Sequence, residues 1–213
     1  MATPGGTHWP IQSHTRIKHL ILRRYLDAWL PMMARYNGRI LFVDGFAGPG
    51  RYSGGEEGSP LIALRALLDH PHFQQPQRQR EVALVFIERE KDRAAALKEE
   101  IERFKANRAI PSWVNINVWE GEFAPLMRQA LDKLDSEGQR LAPTFAFIDP
   151  FGFAGVPLQV IARIVQNPHC ECLITFMYEY VNRFLSHPES EIQANFDELF
   201  ETRDWRALTL EED

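Results

Sequence analysis

Residues Arg39-Ile-Leu-Phe-Val-Asp-Gly-Phe-Ala-Gly-Pro-Gly50 constrain this chain more than any other stretch, because a short apolar run ends in an acid and opens at once into a Gly-rich turn. Ile40 to Val43 forms the continuous hydrophobic run of a strand covered on both faces in a parallel sheet. Gly45, Gly48 and Gly50 can take backbone angles closed to other residues and let a ligand approach the main chain. Asp44 decides which ligand. A dinucleotide site or a P-loop receives phosphate at its first turn, and a carboxylate there would repel it. The spacing departs from both phosphate patterns as well: no Gly-Lys-Ser/Thr follows, and the glycines fall as G-x-x-G-x-G rather than G-x-G-x-x-G. An acid at this point suits a ligand carrying an amino group or a sulfonium, and S-adenosylmethionine carries both.

The surroundings are those of an ordinary globular chain. The 213 residues are 45% hydrophobic and 25% charged, which fits one domain with a sizeable core. A formal net charge of -5 argues against a surface coated with basic residues for nucleic acid, though it permits a local basic groove. No apolar run approaches the ~20 residues needed to span a bilayer, and Met1 to Pro10 lacks a signal-peptide core, so no membrane association and a cytoplasmic location are expected. The two cysteines, Cys170 and Cys172, would share one strand face. No further Cys and no spaced His set joins them, so no metal ligands are assigned.

Residues 1–12 read as a loose tail before a single domain over 13–213. A helix capped by Ser13 or Thr15 follows, with Ile17, Ile21, Tyr25, Ala28 and Trp29 as its buried stripe. Arg16, His19, Arg23 and Arg24 then make a basic strip on the opposite side, either a plain solvated face or a surface tracking RNA or DNA phosphates. Tyr52 to Pro60 is a Gly-rich loop in which Ser59 caps a helix and Pro60 takes its first position. Further strands are predicted at Val82–Ile87, Val114–Val118, Thr144–Ile148 and Cys172–Met177. Helices are predicted at Arg89–Ala106, Leu126–Leu134, Val156–Val165 and Glu189–Phe200, and His70–Arg80 reads as a surface loop. The alternation predicts an α/β fold, a doubly wound and mostly parallel sheet whose ligands sit beyond the strand C-termini.

Four of these strands end in acidic elements: Asp44, Glu88, Glu120-Gly-Glu122 and Asp149-Pro150-Phe151-Gly152. Singly, Glu88 reads as an acid favoured by a helix N-terminus, and Asp149 to Gly152 as a β-turn with buried rings. In series they point to one crevice. This order resembles the Rossmann-like class I S-adenosylmethionine-dependent methyltransferases. That resemblance implies a cradle for the methionine moiety from Asp44, Gly45, Phe46, Gly48 and Gly50. It implies that Glu88 accepts both ribose hydroxyls, for which a carboxylate offers two acceptors, and that Glu122, with Phe123, lies beside the adenine.

Amino-methylating members of that class carry an Asp/Asn-Pro-Pro-aromatic motif at the fourth strand end. The form here looks closer to the Asp-Pro-Phe-Gly of tRNA guanine-N2 dimethyltransferases. Asp149 and the Pro150 carbonyl would then hold an amino nitrogen with its lone pair toward the methyl group, and Phe151 or Phe153 would stack on the base.

Four segments taken together, His14-Thr-Arg-Ile-Lys-His19, Phe42 to Tyr52, Gly58-Ser-Pro60 and Phe147 to Gly152, resemble the three-Cys-motif partner proteins (TcmP), a bacterial family named for a genomic neighbour with three cysteines. The resemblance implies a methyltransferase-like fold and, as a partner, a three-cysteine-motif protein. It also implies an antiparallel strand pair after the fifth strand, which a chain ending at Asp213 would lack, leaving an open sheet edge. Three functions remain in competition: an N-methyltransferase acting on a nucleic-acid base, a non-catalytic adaptor that keeps the pocket, and a metal-dependent nucleotide hydrolase using the same acids.

Overall fold

In a computed structural model, residues 6–74, 81–152 and 154–208 are described. Helix α1 (Ser13–Tyr36) precedes β1 (Arg39–Asp44). There follow α2 (Ser59–Leu68), β2 (Glu81–Glu88), α3 (Lys91–Ala106), β3 (Val114–Glu120) and α4 (Phe123–Ser136). Next come β4 (Thr144–Ile148), α5 (Leu158–Val165) and β5 (Glu171–Ile174), then three short helices, α6 (Tyr178–Phe184), α7 (Ser190–Phe200) and α8 (Trp205–Leu208). The five strands form one all-parallel sheet in the order β3-β2-β1-β4-β5. This α/β architecture, with helices on both faces, is consistent with a Rossmann-like fold.

Strand periodicity splits the core in two. Phe42, Leu84, Phe86, Phe145 and Phe147 point to the face covered by α1, α2 and α3, where Leu26, Trp29, Leu64, Leu97 and Ile101 meet them. Val43, Val85, Ile87, Ala146 and Ile148 point to the other face, against Phe123, Met127 and Leu131 of α4 and Val160 and Ile164 of α5. Helices after β1 and β2 thus cover one face and those after β3 and β4 the other. The chain direction across the sheet reverses between β1 and β4, and a crevice opens beyond the C-termini of these two strands.

Several boundaries differ from expectation. Gly58, not Ser59, precedes α2, so Ser59 is its first residue, and Gln12 precedes α1 without a side-chain cap. Strand β3 runs on through Glu120 because β2 extends to Glu88 and pairs with it. Strand β5 stops at Ile174, after which the chain turns through Phe176 into α6. Pro71–Phe73 forms a 3₁₀ turn within the expected loop, and the rest of that loop from residue 75, like Phe153 and the chain beyond Leu208, lies outside the described residues. Among the described residues no strand pairs with the outer side of β5. No helix among them is long and apolar enough to cross a membrane.

The largest correction concerns α1. Its buried residues are His19, Leu22, Leu26, Trp29, Leu30 and Ala34, whereas Ile17 and Ile21 are 61% and 51% exposed, and Tyr25 and Ala28 are also exposed. Both sets repeat at three and four residue steps, so periodicity alone does not choose between them. The choice falls on the leucines: Leu22, Leu26 and Leu30 bury fully, and Trp29, common to both sets, packs against Phe145.

Candidate functional site

The Gly-rich turn is tied to both neighbouring strands. The Gly45 N–H donates to Phe147 O and the Ala47 N–H to Ile87 O, each at 2.9 Å. Glu88, at the end of β2, braces the turn from the side: its Oε2 accepts the Gly48 N–H and its Oε1 the Glu90 N–H, each at 2.8 Å. Gly50 has φ +81°, a conformation that strains any other residue, and a Cβ there would stand 2.8 Å from Leu97 Cδ1 and force that side chain to shift. Gly45 is required for a different reason, since a Cβ would meet the Phe123 ring at 2.8 Å.

Asp44 lies under this turn, fully buried. Its Oδ1 accepts the Phe46 N–H at 3.2 Å, and its Oδ2 meets no donor in bonding geometry. Burial pushes its pKa up to about 7, against the opposing pull of the Ser59 hydroxyl and the Phe46 N–H; the charges of Asp149 and Glu88 push the same way as burial. The carboxylate lines neither cavity described next. Ser59, which interacts with it, borders the smaller cavity.

The crevice beyond β1 and β4 contains two cavities that share Phe46 and Phe151. The larger, about 380 Å³, is walled by Gly45, Glu88, Arg93, Gly121, Glu122 and Phe123, so Glu88 and Glu122 come together as expected. The smaller, about 110 Å³, is bounded by Gly48, Gly50, Asp149 and Pro150 and, from α1, by His14, Lys18 and His19. Phe151 is 45% exposed between them.

In the smaller cavity, Lys18 Nζ stands 2.6 Å from Asp149 Oδ1. His19 packs its ring 5.7 Å from that of Tyr52, and burial lowers its pKa to about 4, against the pull of Asp149 and with the help of the Lys18 charge. It is a neutral imidazole at pH 7. The Tyr52 phenol is pushed well above its usual range by burial first, then by the charges of Asp149, Asp44 and Glu56.

The segment before α1, expected as a loose tail, carries Trp9 into this region. Its carbonyl accepts the Ser53 N–H at 3.0 Å, its ring meets Phe151 edge-on at 5.5 Å, and the Arg93 guanidinium lies 4.6 Å from the ring centroid. The indole thus stands over Gly48, on the ridge between the cavities.

Of the residues that sequence reasoning expected at the site, Glu88, Glu122, Asp149 and the glycines of the turn border the two cavities while Asp44 lies beneath the turn; Lys18, His19, Tyr52 and Trp9 were not assigned to the site. Lys18 and His19 turn toward the strand ends once Leu22, Leu26 and Trp29 are known to be the inward stripe, which spacing alone does not decide. The basic strip does not form one face, because His19 points inward, Arg16 pairs with Glu56 at 2.6 Å and Arg23 with Asp27 at 2.9 Å, and only Arg24 of the four lies exposed without a described ion pair. Searches find no protein-family model that matches this chain and no curated protein that matches it.

Proposed function

We propose that this chain is an S-adenosylmethionine-dependent N-methyltransferase of the class I type, acting on an amino nitrogen of a nucleic-acid base. The observation carrying this reading is the pairing of two unlike cavities across Phe46 and Phe151: one bears Glu88 and Glu122, the other Asp149 and Pro150. The residues fit the cofactor on two counts. The larger cavity has room and carboxylates for a nucleoside, and the Gly45 to Gly50 main chain between the two cavities, braced by Glu88, lies open to a ligand's close approach. Bound there, S-adenosylmethionine would supply an electrophilic methyl group.

The chain's own residues would bind and align. Glu88 already holds two main-chain N–H groups, and each of its oxygens retains a second lone pair for a ribose hydroxyl. Glu122 offers an acceptor for the exocyclic amine of adenine. Asp149 and the Pro150 carbonyl would hold the acceptor amine, fixing the direction of its lone pair, and Phe151 would lie on the base. Lys18 presents to Asp149 an ammonium of the donor type this reading requires of the acceptor, so it would yield that place when a base enters. Asp149 or bulk water would take the proton released as the nitrogen is methylated.

Calorimetric titration with S-adenosylhomocysteine tests the reading. Saturable binding that Glu88→Ala abolishes is predicted, and no binding to the folded protein would refute it. One observation favours a second reading, an adaptor for a three-cysteine-motif protein: the Lys18–Asp149 pair occupies the acceptor position. An adaptor would form a co-purifying complex that Asp149→Ala leaves intact.

A further inference from the structure

The wall that α1 gives to the smaller cavity holds a polar side chain that the mechanism above leaves unused. His19 is 8% exposed and borders that cavity with Asp149, Tyr52 and Phe151. Its ring packs beside Tyr52, and among the described residues none hydrogen-bonds to its nitrogens or encloses them. The little surface that His19 keeps is therefore cavity surface, with its polar atoms in it. Its neighbours in the same wall are satisfied, since Lys18 Nζ and Asp149 Oδ1 meet at 2.6 Å. A polar group held in such a place without a partner costs stability until a ligand supplies one.

We infer that His19 is a substrate-binding residue, whose imidazole makes a hydrogen bond to the ring of the base presented at Asp149. The inference rests on the methyltransferase reading above and adds to it a contact from the helix wall. Burial, which outweighs the Asp149 charge, keeps the imidazole neutral at pH 7. A neutral imidazole carries one N–H donor and one acceptor nitrogen. In adenine, cytosine and guanine alike, a ring nitrogen adjoins the carbon that bears the exocyclic amine, so a base held by its amine at Asp149 brings a polar ring atom beside it. The charges of Lys18 and Asp149 offset each other, and the rings of Trp9, Tyr52 and Phe151 border the same space, so the cavity suits a flat uncharged ring better than an anion.

Steady-state methyl transfer by the full chain, from tritiated S-adenosylmethionine to single-stranded RNA and DNA of mixed sequence, tests the contact. His19→Phe keeps a ring beside Tyr52 and removes both nitrogens. It should raise KM for the nucleic acid about tenfold, as the loss of one hydrogen bond would, with kcat within about twofold and affinity for S-adenosylhomocysteine unchanged. The amide of Asn reaches the place of Nδ1 and that of Gln the place of Nε2, so one of His19→Asn and His19→Gln should recover most of the loss. If His19→Phe fails to fold, a KM difference of the same size between the two amide variants carries the test. An unchanged KM in folded His19→Phe overturns the inference. So does a loss that neither amide recovers or that S-adenosylhomocysteine affinity shares, because a purely structural role gives those results. Wild-type protein that methylates neither nucleic acid overturns the reading beneath, and the contact with it.

Discussion

The two cavities beside Phe46 and Phe151 differ in how they are built. The larger is assembled from strand ends and the turns after them, with Glu88 bonded to the main chain and Gly45 packed on the Phe123 ring. The smaller takes part of its wall from a helix and from the segment before it, and its polar groups answer one another: Lys18 with Asp149, His19 beside Tyr52. A cavity made of sheet ends is rigid and preformed, suited to a ligand that is always the same. On the proposed reading, an acceptor entering the one bounded by a helix and a packed indole would displace Lys18 from Asp149.

Four changes would break or sharpen that contrast. Asp149→Ala should leave S-adenosylhomocysteine affinity within a few-fold while lowering methyl-transfer turnover by about 10²- to 10⁴-fold, the usual range for a group that positions or takes a proton. Equal loss of both would merge the two cavities into one functional unit. Asp44→Asn comes next. In the unliganded protein the raised pKa of Asp44 means its stability contribution is full below about pH 4 and is lost as pH rises toward 7. At 1.36 kcal/mol per pKa unit the loss approaches about 4 kcal/mol, so urea unfolding should show Asp44→Asn gaining on wild type between pH 5 and 8. His19 works in the opposite sense. Its pKa near 4 gives stability present above about pH 6.5 and lost as pH falls toward 4, and that slope should survive in the Asn variant.

Glu88→Ala should cost about 3 kcal/mol, from two main-chain N–H groups that lose a charged acceptor, and should abolish cofactor binding. Glu88→Gln should recover most of the stability and little of the binding, which separates bracing from ligand contact. Lys18→Met should change the melting temperature least, with less than about 1 kcal/mol at stake in a partly exposed pair, and should not lower turnover.

The difference between the cavities also explains what could be read from the sequence. Strand β4 falls on Thr144–Ile148 as expected, and β1 and β2 within a residue or two, because buried parallel strands are short apolar runs with sharp polar ends. Their register then carries Asp44, Glu88 and Asp149 to one side of the sheet. The face of α1 was not legible, since Ile17, Ile21 and Tyr25 compete with Leu22, Leu26 and Leu30 at similar spacing, and only the partners across the sheet decide. With that face misplaced, His19 was put in the basic strip on the opposite side and Lys18 was given no place in the site. Trp9 gave no periodic signal at all: its place depends on Arg93, Phe151 and Ser53, which are distant in sequence. Likewise the shared use of Asp44 and Ser59 beneath the turn could not be foreseen from a motif that ends at Gly50.

The central claim is that one crevice holds the cofactor in the acid-bearing cavity and the acceptor beside Asp149. A crystal structure of the protein with S-adenosylhomocysteine tests this most directly. The account predicts the ribose hydroxyls on Glu88, the adenine against Glu122 and Phe123, and the sulfur at the Phe46–Phe151 boundary facing Asp149. A ligand seated elsewhere, or a ribose turned away from Glu88 with the sulfur pointing out to solvent, would contradict it.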